Sequence, residues 1–235
     1  MFARWARWLG NKPQLSGRQQ QRMDSWKAMP ATMLDVPFAA SRCVVVDVET
    51  SGLNMLDDRL ISIGAVAVVN GQIALGDSFS VVLQQETASH KDNILLHGIG
   101  GAAQTEGVPA ADALLDFVDY LGKDLLVAFH VTFDRSMIQR AIRQYLGITF
   151  KHPWVDLAYV APALNPALAS HHRSLDDWAG HFGIRNDARH NALADAFVTA
   201  QLFQILLGQA RKKNISRLDG LLDLEKAQRW VDSVS

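Results

Sequence analysis

The sequence has one cysteine, almost no net charge and no apolar run long enough to cross a membrane. Cys43 is the only cysteine in 235 residues, so no intramolecular disulfide can form. The apolar runs fall short of the roughly 20 residues that a membrane helix needs. Arg4 and Arg7 interrupt the first residues, which have no apolar core of secretory type. We therefore expect a soluble, cytoplasmic protein with no stable membrane insertion.

The sequence also lacks an excess of basic residues. It contains 23 Lys and Arg against 24 Asp and Glu, which gives a net charge of −1. Strong nucleic-acid binders usually carry a basic face, and the overall charge indicates none. An enzyme that holds a strand end through metal ions does not need such a face, because the ions supply the positive charge. A nucleic-acid enzyme that uses metal ions is therefore still compatible with this composition.

The charge is unevenly distributed along the chain. Residues 1–42 carry seven Lys and Arg against two Asp, a balance of +5, whereas the remainder carries 16 basic and 22 acidic residues, a balance of −6. This step predicts a basic N-terminal extension over 1–40 that lies outside a catalytic domain spanning 41–208. Residues 209–235 are predicted to form a C-terminal helical tail. The extension or the tail could contact a polymerase or another protein partner.

The hydrophobic pattern predicts an α/β fold. Apolar, β-branched runs at 43–48, 60–69 and 73–82 indicate strands, and Asn70-Gly71 between the last two predicts a hairpin with a type I′ turn. Strand and helix patterns then alternate: a helix over 110–121, a strand over 125–129, a helix over 133–145, a short strand ending at 156, and helices over 174–182 and 192–207. Gly183 and Gly208 stand where helix ends are expected. This order predicts a mixed sheet with helices on both faces.

Two carboxylates end the first predicted strand. Asp47 and Glu49 are two residues apart, so both side chains project from the same face of the strand. Two acids at the end of an apolar strand carry desolvation and repulsion costs unless cations bind between them. The alternative is an acidic strand end that caps a turn. A second Asp-x-Glu, at Asp223 and Glu225, lies in the amphipathic tail, and we assign it to a solvent-exposed face.

Three more residues near predicted helix starts are candidates for the same site. Asp134 lies near a helix N-terminus, where the helix dipole favours a carboxylate and N-capping is the competing interpretation. His190 and Asp195 are five residues apart, so their side chains diverge if both are helical. They can converge if His190 lies on the loop, Asn191 caps the helix and Asp195 points from its first turn.

The three segments, in this order, resemble a known family. Asp47-Val-Glu-Thr-Ser-Gly52, Phe133-Asp134 and His190-x-x-x-x-Asp195 are similar to the three exonuclease motifs of the DEDD superfamily, histidine-bearing branch. That branch includes the epsilon proofreading subunit of bacterial DNA polymerase III, RNase T and oligoribonuclease. The resemblance covers roughly residues 43–208 and implies an RNase H-like (exonuclease) fold, with a mixed five-stranded sheet flanked by helices. It departs from the epsilon pattern at Phe129-His130, where that pattern usually has His-Asn.

The resemblance implies a metal-dependent 3′→5′ exonuclease that releases 5′-nucleoside monophosphates. Its ligands to two Mg²⁺ or Mn²⁺ ions would be Asp47, Glu49, Asp134 and Asp195, and its general base would be His190. The residues that would line the terminal nucleotide are Thr50, Leu53, His97 and Phe133. The implied partner is a nucleic acid with a 3′ end, DNA in an epsilon-like enzyme. An exonuclease directed at RNA, and a binding module that has lost catalysis, are the alternatives.

Overall fold

The computed structural model describes residues 13–186 and 189–234, which are built around one five-stranded sheet. The strands are β1 (Arg42–Thr50), β2 (Leu60–Val69), β3 (Gln72–Val82), β4 (Leu125–Ala128) and β5 (Trp154–Asp156). They lie in the order β3-β2-β1-β4-β5. The first three are antiparallel neighbours, and β4 pairs in parallel with both β1 and β5. The predicted fold class, a mixed five-stranded sheet, is confirmed.

Helices cover both faces of this sheet. They are α1 (Gly17–Ala28), α2 (Lys91–His97), α3 (Gly101–Thr105), α4 (Ala110–Leu121), α5 (Val131–Leu146), α6 (Leu157–Leu164), α7 (Leu175–His181), α8 (Ala192–Lys212) and α9 (Leu218–Val234), with 3-10 turns at Phe38–Ala40 and Pro166–Leu168. The predicted hairpin is confirmed, since Asn70 and Gly71 have φ values of 55° and 77°, as a type I′ turn requires.

One predicted helix end is wrong. Helix α8 does not stop at Gly208 but continues to Lys212. Leu206, Leu207 and Ala210 are buried against the sheet, on both sides of the glycine. A glycine inside a helix costs about 1 kcal/mol relative to alanine, and the burial of these side chains offsets that cost. Gly183, by contrast, follows the end of α7 with φ 70°, as expected.

The alternation of side chains along β1 divides the interior into two cores. Val44, Val46 and Val48 pack with α1, α4 and α5 in what we term the α5-side core. Cys43 and Val45 pack with α6, α8 and α9 on the opposite face, the α8-side core. Because alternate residues share a face, Asp47 and Glu49 continue the row that faces α8. The period of the strand thus aims both carboxylates toward the helix that carries Asp195.

The N-terminal segment is more closely attached to the domain than its charge suggested. Met23 and Trp26 of α1 are buried in the α5-side core, and Trp26 Nε1 donates to the carbonyl of Gly122 at 2.6 Å. Arg22 forms ion pairs with Asp116 and Asp119 on α4 at 2.7 and 2.6 Å. A helix within the predicted extension therefore contributes to the core. The domain limits themselves stay a prediction.

The segment before β1 also contacts the C-terminal helix α9. The amides of Leu218 and Asp219, at the start of α9, donate to the carbonyls of Val36 and Leu34 at 3.2 and 2.8 Å. The side chains of Leu218 and Leu221 are buried in the α8-side core. The predicted helical tail is therefore fixed to the domain by apolar contacts and by backbone hydrogen bonds to the segment before β1.

The assignment of the second Asp-x-Glu to a solvent-exposed face is wrong for one of its two acids. Asp223 is exposed, but Glu225 is buried. Its Oε2 accepts from the amide of Asp156 and its Oε1 from Nε of Arg229, at 3.1 and 2.8 Å. Acids two positions apart on a helix point in different directions, so one member faces water and the other faces the domain.

Within the described residues, one helix has the length and composition of a membrane span. This is α8, and half of its apolar window is buried inside the protein. Its contacts with β1 and β2 account for that apolar face, as expected for a helix in the core of a domain.

Candidate active site

Three of the predicted carboxylates meet at the edge of the sheet. The ligand atoms of Asp47, Glu49 and Asp195 all lie within 4.8 Å of one another. The first two come from the end of β1, where a register shift against β2 between Glu49 and Thr50 marks a bulge. Asp195 comes from the first turn of α8. Carboxylate oxygens at this spacing are the donor set that a hard divalent cation prefers, so the cluster suits a divalent metal ion.

A glycine of β2 allows the start of α8 to lie close to the sheet. This glycine was not singled out from the sequence alone. Gly64 on β2 pairs with Asp47, and a Cβ at this position would lie 2.1 Å from the amide nitrogen of Leu193 and 2.2 Å from the carbonyl carbon of Ala192. The backbone of α8 thus rests directly on the strand, in the same first turn of the helix that carries Asp195. The signal was present in the sequence, since a glycine inside an apolar strand marks a close backbone approach.

The loop before α8 has the backbone arrangement that the sequence required, although the imidazole nitrogens of His190 are not part of the 4.8 Å group. Asn191 caps the helix by accepting from the amide of Ala194, and His190 lies outside the helix in a left-handed conformation with φ 61°. The amide of His190 donates to Asp195 Oδ2 at 2.9 Å. Asn186 Nδ2 donates to Asp195 Oδ1 at 2.5 Å. Both carboxylate oxygens are therefore oriented by the loop, and the contribution of Asn186 had no recognisable signal in the sequence.

Asp134 lies beside the three clustered acids and is the most deeply buried of the four. It stands in the first turn of α5, whose N-cap is His130, so Asp134 is not the capping residue. Its exposure is 5%. Its negative charge is among the causes that raise the pKa of Asp47, which places it next to the cluster without making it part of the 4.8 Å group.

Burial and mutual repulsion disfavour the charged forms of these acids. The pKa of Asp47 is raised well above its ordinary value, first by burial and then by the charges of Asp134, Asp195 and Glu49. Burial raises the pKa of Glu49 to about 7, with Asp195 adding to the effect. The pKa of Asp134 is raised to about 8, mainly by burial. A bound cation would reverse these shifts. Among the described residues, no ion pair joins a basic side chain to any of the four acids.

The predicted nucleotide-lining residues differ in their surroundings. Thr50 is buried and donates through Oγ1 to the carbonyl of Gly52 at 2.6 Å, whereas the side chain of Leu53 is 87% exposed. Phe133 is half-buried against the α5-side core. His97 is buried, and its Nδ1 accepts from the amide of Ile99 at 3.1 Å. Burial lowers the pKa of His97. Because Nδ1 accepts from an amide, the ring proton is assigned to Nε2, which is buried and has no hydrogen-bond partner among the described residues.

The same architecture occurs in solved exonuclease structures. E. coli Exonuclease I in complex with a dT13 oligonucleotide aligns with a TM-score of 0.62 and 16% identity, covering 73% of this chain and 42% of that one. Exonuclease X in complex with 5′ overhanging duplex DNA aligns with a TM-score of 0.59 and 19% identity, covering 78% and 99%. At these identities the likeness shows the fold, which is that of the RNase H-like exonucleases.

The sequence comparison goes further, because residues 44–203 match the Exonuclease (RNase T) family. The chain belongs to this family. Among curated relatives, DNA polymerase III PolC-type of Clostridium perfringens is 32% identical over 162 residues, which are 68% of this chain and 11% of the relative. DNA polymerase III subunit epsilon of Aquifex aeolicus is 28% identical over 160 residues, or 68% and 77%. The chain spans only 14% of the PolC-type relative from Thermotoga maritima.

The raised pKa values predict how the stability of the metal-free protein depends on pH. The unfolded chain releases the protons of Glu49 and Asp134 near their ordinary pKa values of 4.5 and 3.8, whereas the folded protein retains them to about pH 7 and about pH 8. The folded state binds more protons within that window, so its stability falls as the pH rises through it. We expect the melting temperature in EDTA to fall from pH 5 to pH 8, and to fall less in Asp134→Asn.

The control for this measurement is Asp223→Asn on the exposed side of α9, which should keep the wild-type pH dependence. Equal slopes in wild type and Asp134→Asn would show that Asp134 is not protonated in the folded metal-free protein.

Gly64→Ala tests the close approach of α8. The added Cβ meets backbone and not a flexible side chain, so α8 must shift and carry Asp195 away from Asp47 and Glu49. We expect a loss of about 1–3 kcal/mol in stability, the usual cost of overpacking, and at least about tenfold weaker Mn²⁺ binding by calorimetry. Gly76→Ala on β3 is the matched control, because a Cβ there meets nothing within 4 Å. Unchanged Mn²⁺ affinity in Gly64→Ala would contradict this account of the site.

Proposed function

We propose that this protein is a metal-dependent 3′→5′ exonuclease that removes nucleotides from the 3′ end of DNA and releases 5′-nucleoside monophosphates. The observation that carries the proposal is the cluster of Asp47, Glu49 and Asp195 within 4.8 Å, on a fold and family of exonucleases. The choice of DNA rests on relatives named DNA polymerase III and on neighbours solved with DNA. The intact acids argue against a binding module without catalysis.

The donor set favours Mg²⁺ or Mn²⁺, because four carboxylates with no thiolate suit hard cations. Two such ions, when bound, would activate a water and stabilise the leaving 3′ oxygen. Asp47, Glu49 and Asp195 would hold the nucleophile-side ion, and Asp134, buried beside Asp47, would support the second. The raised pKa values are consistent with this assignment, because burial and mutual repulsion disfavour the charged carboxylates when no cation is bound.

His190 is the proposed general base. Imidazole exchanges protons near neutral pH and is the usual group for this role. The loop position of His190 is consistent with it: the backbone amide is engaged with Asp195, while the half-exposed side chain stands outside the helix. In this arrangement Asp195 would act as a ligand, and the imidazole of His190 would accept a proton from water.

The terminal nucleotide is proposed to contact Thr50, Leu53, His97 and Phe133. Leu53 offers a large exposed apolar surface in the loop that follows β1, close in sequence to Glu49 and suited to packing on a base. His97 has a buried N–H donor at Nε2 with no partner within the described residues, which would reach a sugar or phosphate oxygen only after the surrounding side chains move. A polymerase is the proposed protein partner and the cytoplasm the proposed location, both by analogy with relatives named DNA polymerase III.

The direct test is a nuclease assay on single-stranded DNA and RNA oligonucleotides of the same sequence, labelled at the 5′ end. We expect a ladder of products shortened from the 3′ end with Mg²⁺ or Mn²⁺, and none in EDTA, because the acid cluster needs cations to act. Undiminished cleavage in EDTA would contradict the metal-dependent reaction. Faster degradation of RNA than of DNA would replace the DNA proposal with the RNA-directed alternative.

His190→Ala and Asp195→Asn should separate a base from a ligand. His190→Ala should bind Mn²⁺ nearly normally yet turn over about 10²–10⁴-fold more slowly, the usual contribution of general base catalysis. Asp195→Asn should weaken Mn²⁺ binding itself. Calorimetry and single-turnover rates measure both, with His171→Ala on an exposed loop as the control. Lost Mn²⁺ binding in His190→Ala, or an unchanged rate, would make the assigned role wrong.

A further inference from the structure

A buried carboxylate outside the acid cluster organises the start of α5. Asp156, at the end of β5, is 1% exposed. It accepts from the amide of His130 at 2.9 Å and from that of Val131 at 3.1 Å. The first amides of a helix have no partner within the helix, and the N-cap residue His130 makes no side-chain cap of its own. Asp156 therefore supplies from a neighbouring strand the acceptor that α5 lacks.

This cap acts on the turn that carries a proposed metal ligand. His130 adopts a left-handed conformation with φ 63°, which few residues other than glycine tolerate, although Asn, Asp and His are among those that do. Asp134 follows in the first turn of the helix. The hydrogen bonds from His130 and Val131 to Asp156 thus fix the backbone from which Asp134 reaches the cluster.

Asp156 is in turn paired with a cation from the C-terminal helix. Arg229 on α9 donates through Nη2 to Asp156 at 3.0 Å and through Nε to Glu225 at 2.8 Å, and its guanidinium lies 3.9 Å from the centre of the Tyr159 ring. One guanidinium therefore neutralises two buried carboxylates. Without it, Asp156 and Glu225 would repel each other in a site largely closed to water.

Helix α9 does not depend on this ion pair for its attachment. Leu218 and Leu221 are buried, and the amide of Asp219 is bonded to Leu34. The helix lies beyond residue 203, where the match to the Exonuclease family ends. The ion pair of Arg229 with Asp156 is therefore not needed to attach α9, and Arg229 lies outside the matched family segment.

We propose that α9 is a positioning element of the candidate active site, with Arg229 acting through Asp156 to fix the first turn of α5 and hence Asp134. Arg229 touches no proposed metal ligand and is a positioning residue. The inference rests on the proposed function for its effect on catalysis, but its structural step, the fixing of the amides of His130 and Val131, can be measured without any nuclease activity.

The test compares Arg229→Met with Lys226→Met in the full chain. Lys226 lies on the same helix and, among the described residues, pairs with the exposed Asp223 alone, so it controls for the loss of a surface charge. In Arg229→Met we expect amide hydrogen exchange to become at least about tenfold faster over residues 129–134, with protection over 218–224 unchanged. We also expect kcat on a DNA oligonucleotide to fall at least about tenfold, since misplacing a reacting group by about 1 Å costs up to about 10²-fold, with KM little changed.

Arg229→Lys keeps the positive charge but not the fork that spans both carboxylates, so it should give an intermediate exchange rate and an intermediate kcat. It decides the matter if Arg229→Met does not fold. Unchanged exchange over 129–134, or faster exchange with unchanged kcat, would overturn the inference while leaving the exonuclease proposal intact. A wild-type protein without nuclease activity would overturn the proposed function instead, and the exchange measurement would still test the link between Arg229 and α5.

Discussion

The structure depends on the confinement of like charges at one end of strand β1. Asp47, Glu49 and Asp195 lie within 4.8 Å of one another and Asp134 is buried beside them, in an environment that raises the pKa of three of the four. A protein gains no stability from such a cluster in the absence of a cation. The surrounding fold must therefore hold the acids in place against their own repulsion, and much of the local architecture serves this purpose.

Each acid is fixed by a different structural device. The strand period sets the direction of Asp47 and Glu49, and the loop donors Asn186 and His190 orient Asp195. The position of Asp134 is set by the first turn of α5, which carries it. Carboxylates fixed by rigid elements are preorganised for a metal ion, because little reorganisation remains to be done when the ion binds. The two apolar cores, which cover both faces of the sheet, stabilise the fold against the repulsion among the acids.

The described segments outside residues 44–203, the range that matches the Exonuclease family, pack against the domain. Helix α1 contributes Met23 and Trp26 to one core, and α9 contributes Leu218 and Leu221 to the other. Backbone hydrogen bonds join residues 34–36 to the start of α9. The ion pair of Arg229 with Asp156 then links the C-terminal helix to α5. Helices α1 and α9 thus support the domain from outside its sheet.

The sequence by itself determined what depends on neighbours along the chain. The period of β1 places Asp47 and Glu49 on one face, Asn70-Gly71 makes the hairpin, and Asn191 caps α8 so that Asp195 falls in its first turn. Only the tertiary structure decided which distant surfaces meet. The contact of Gly64 with α8, the continuation of α8 beyond Gly208, and the burial of Glu225 and Trp26 all depend on packing between segments far apart in sequence. A local pattern can mark a close approach, as the glycine at position 64 does, but it does not say which segment approaches, because burial is settled by what a side chain faces once the chain has folded.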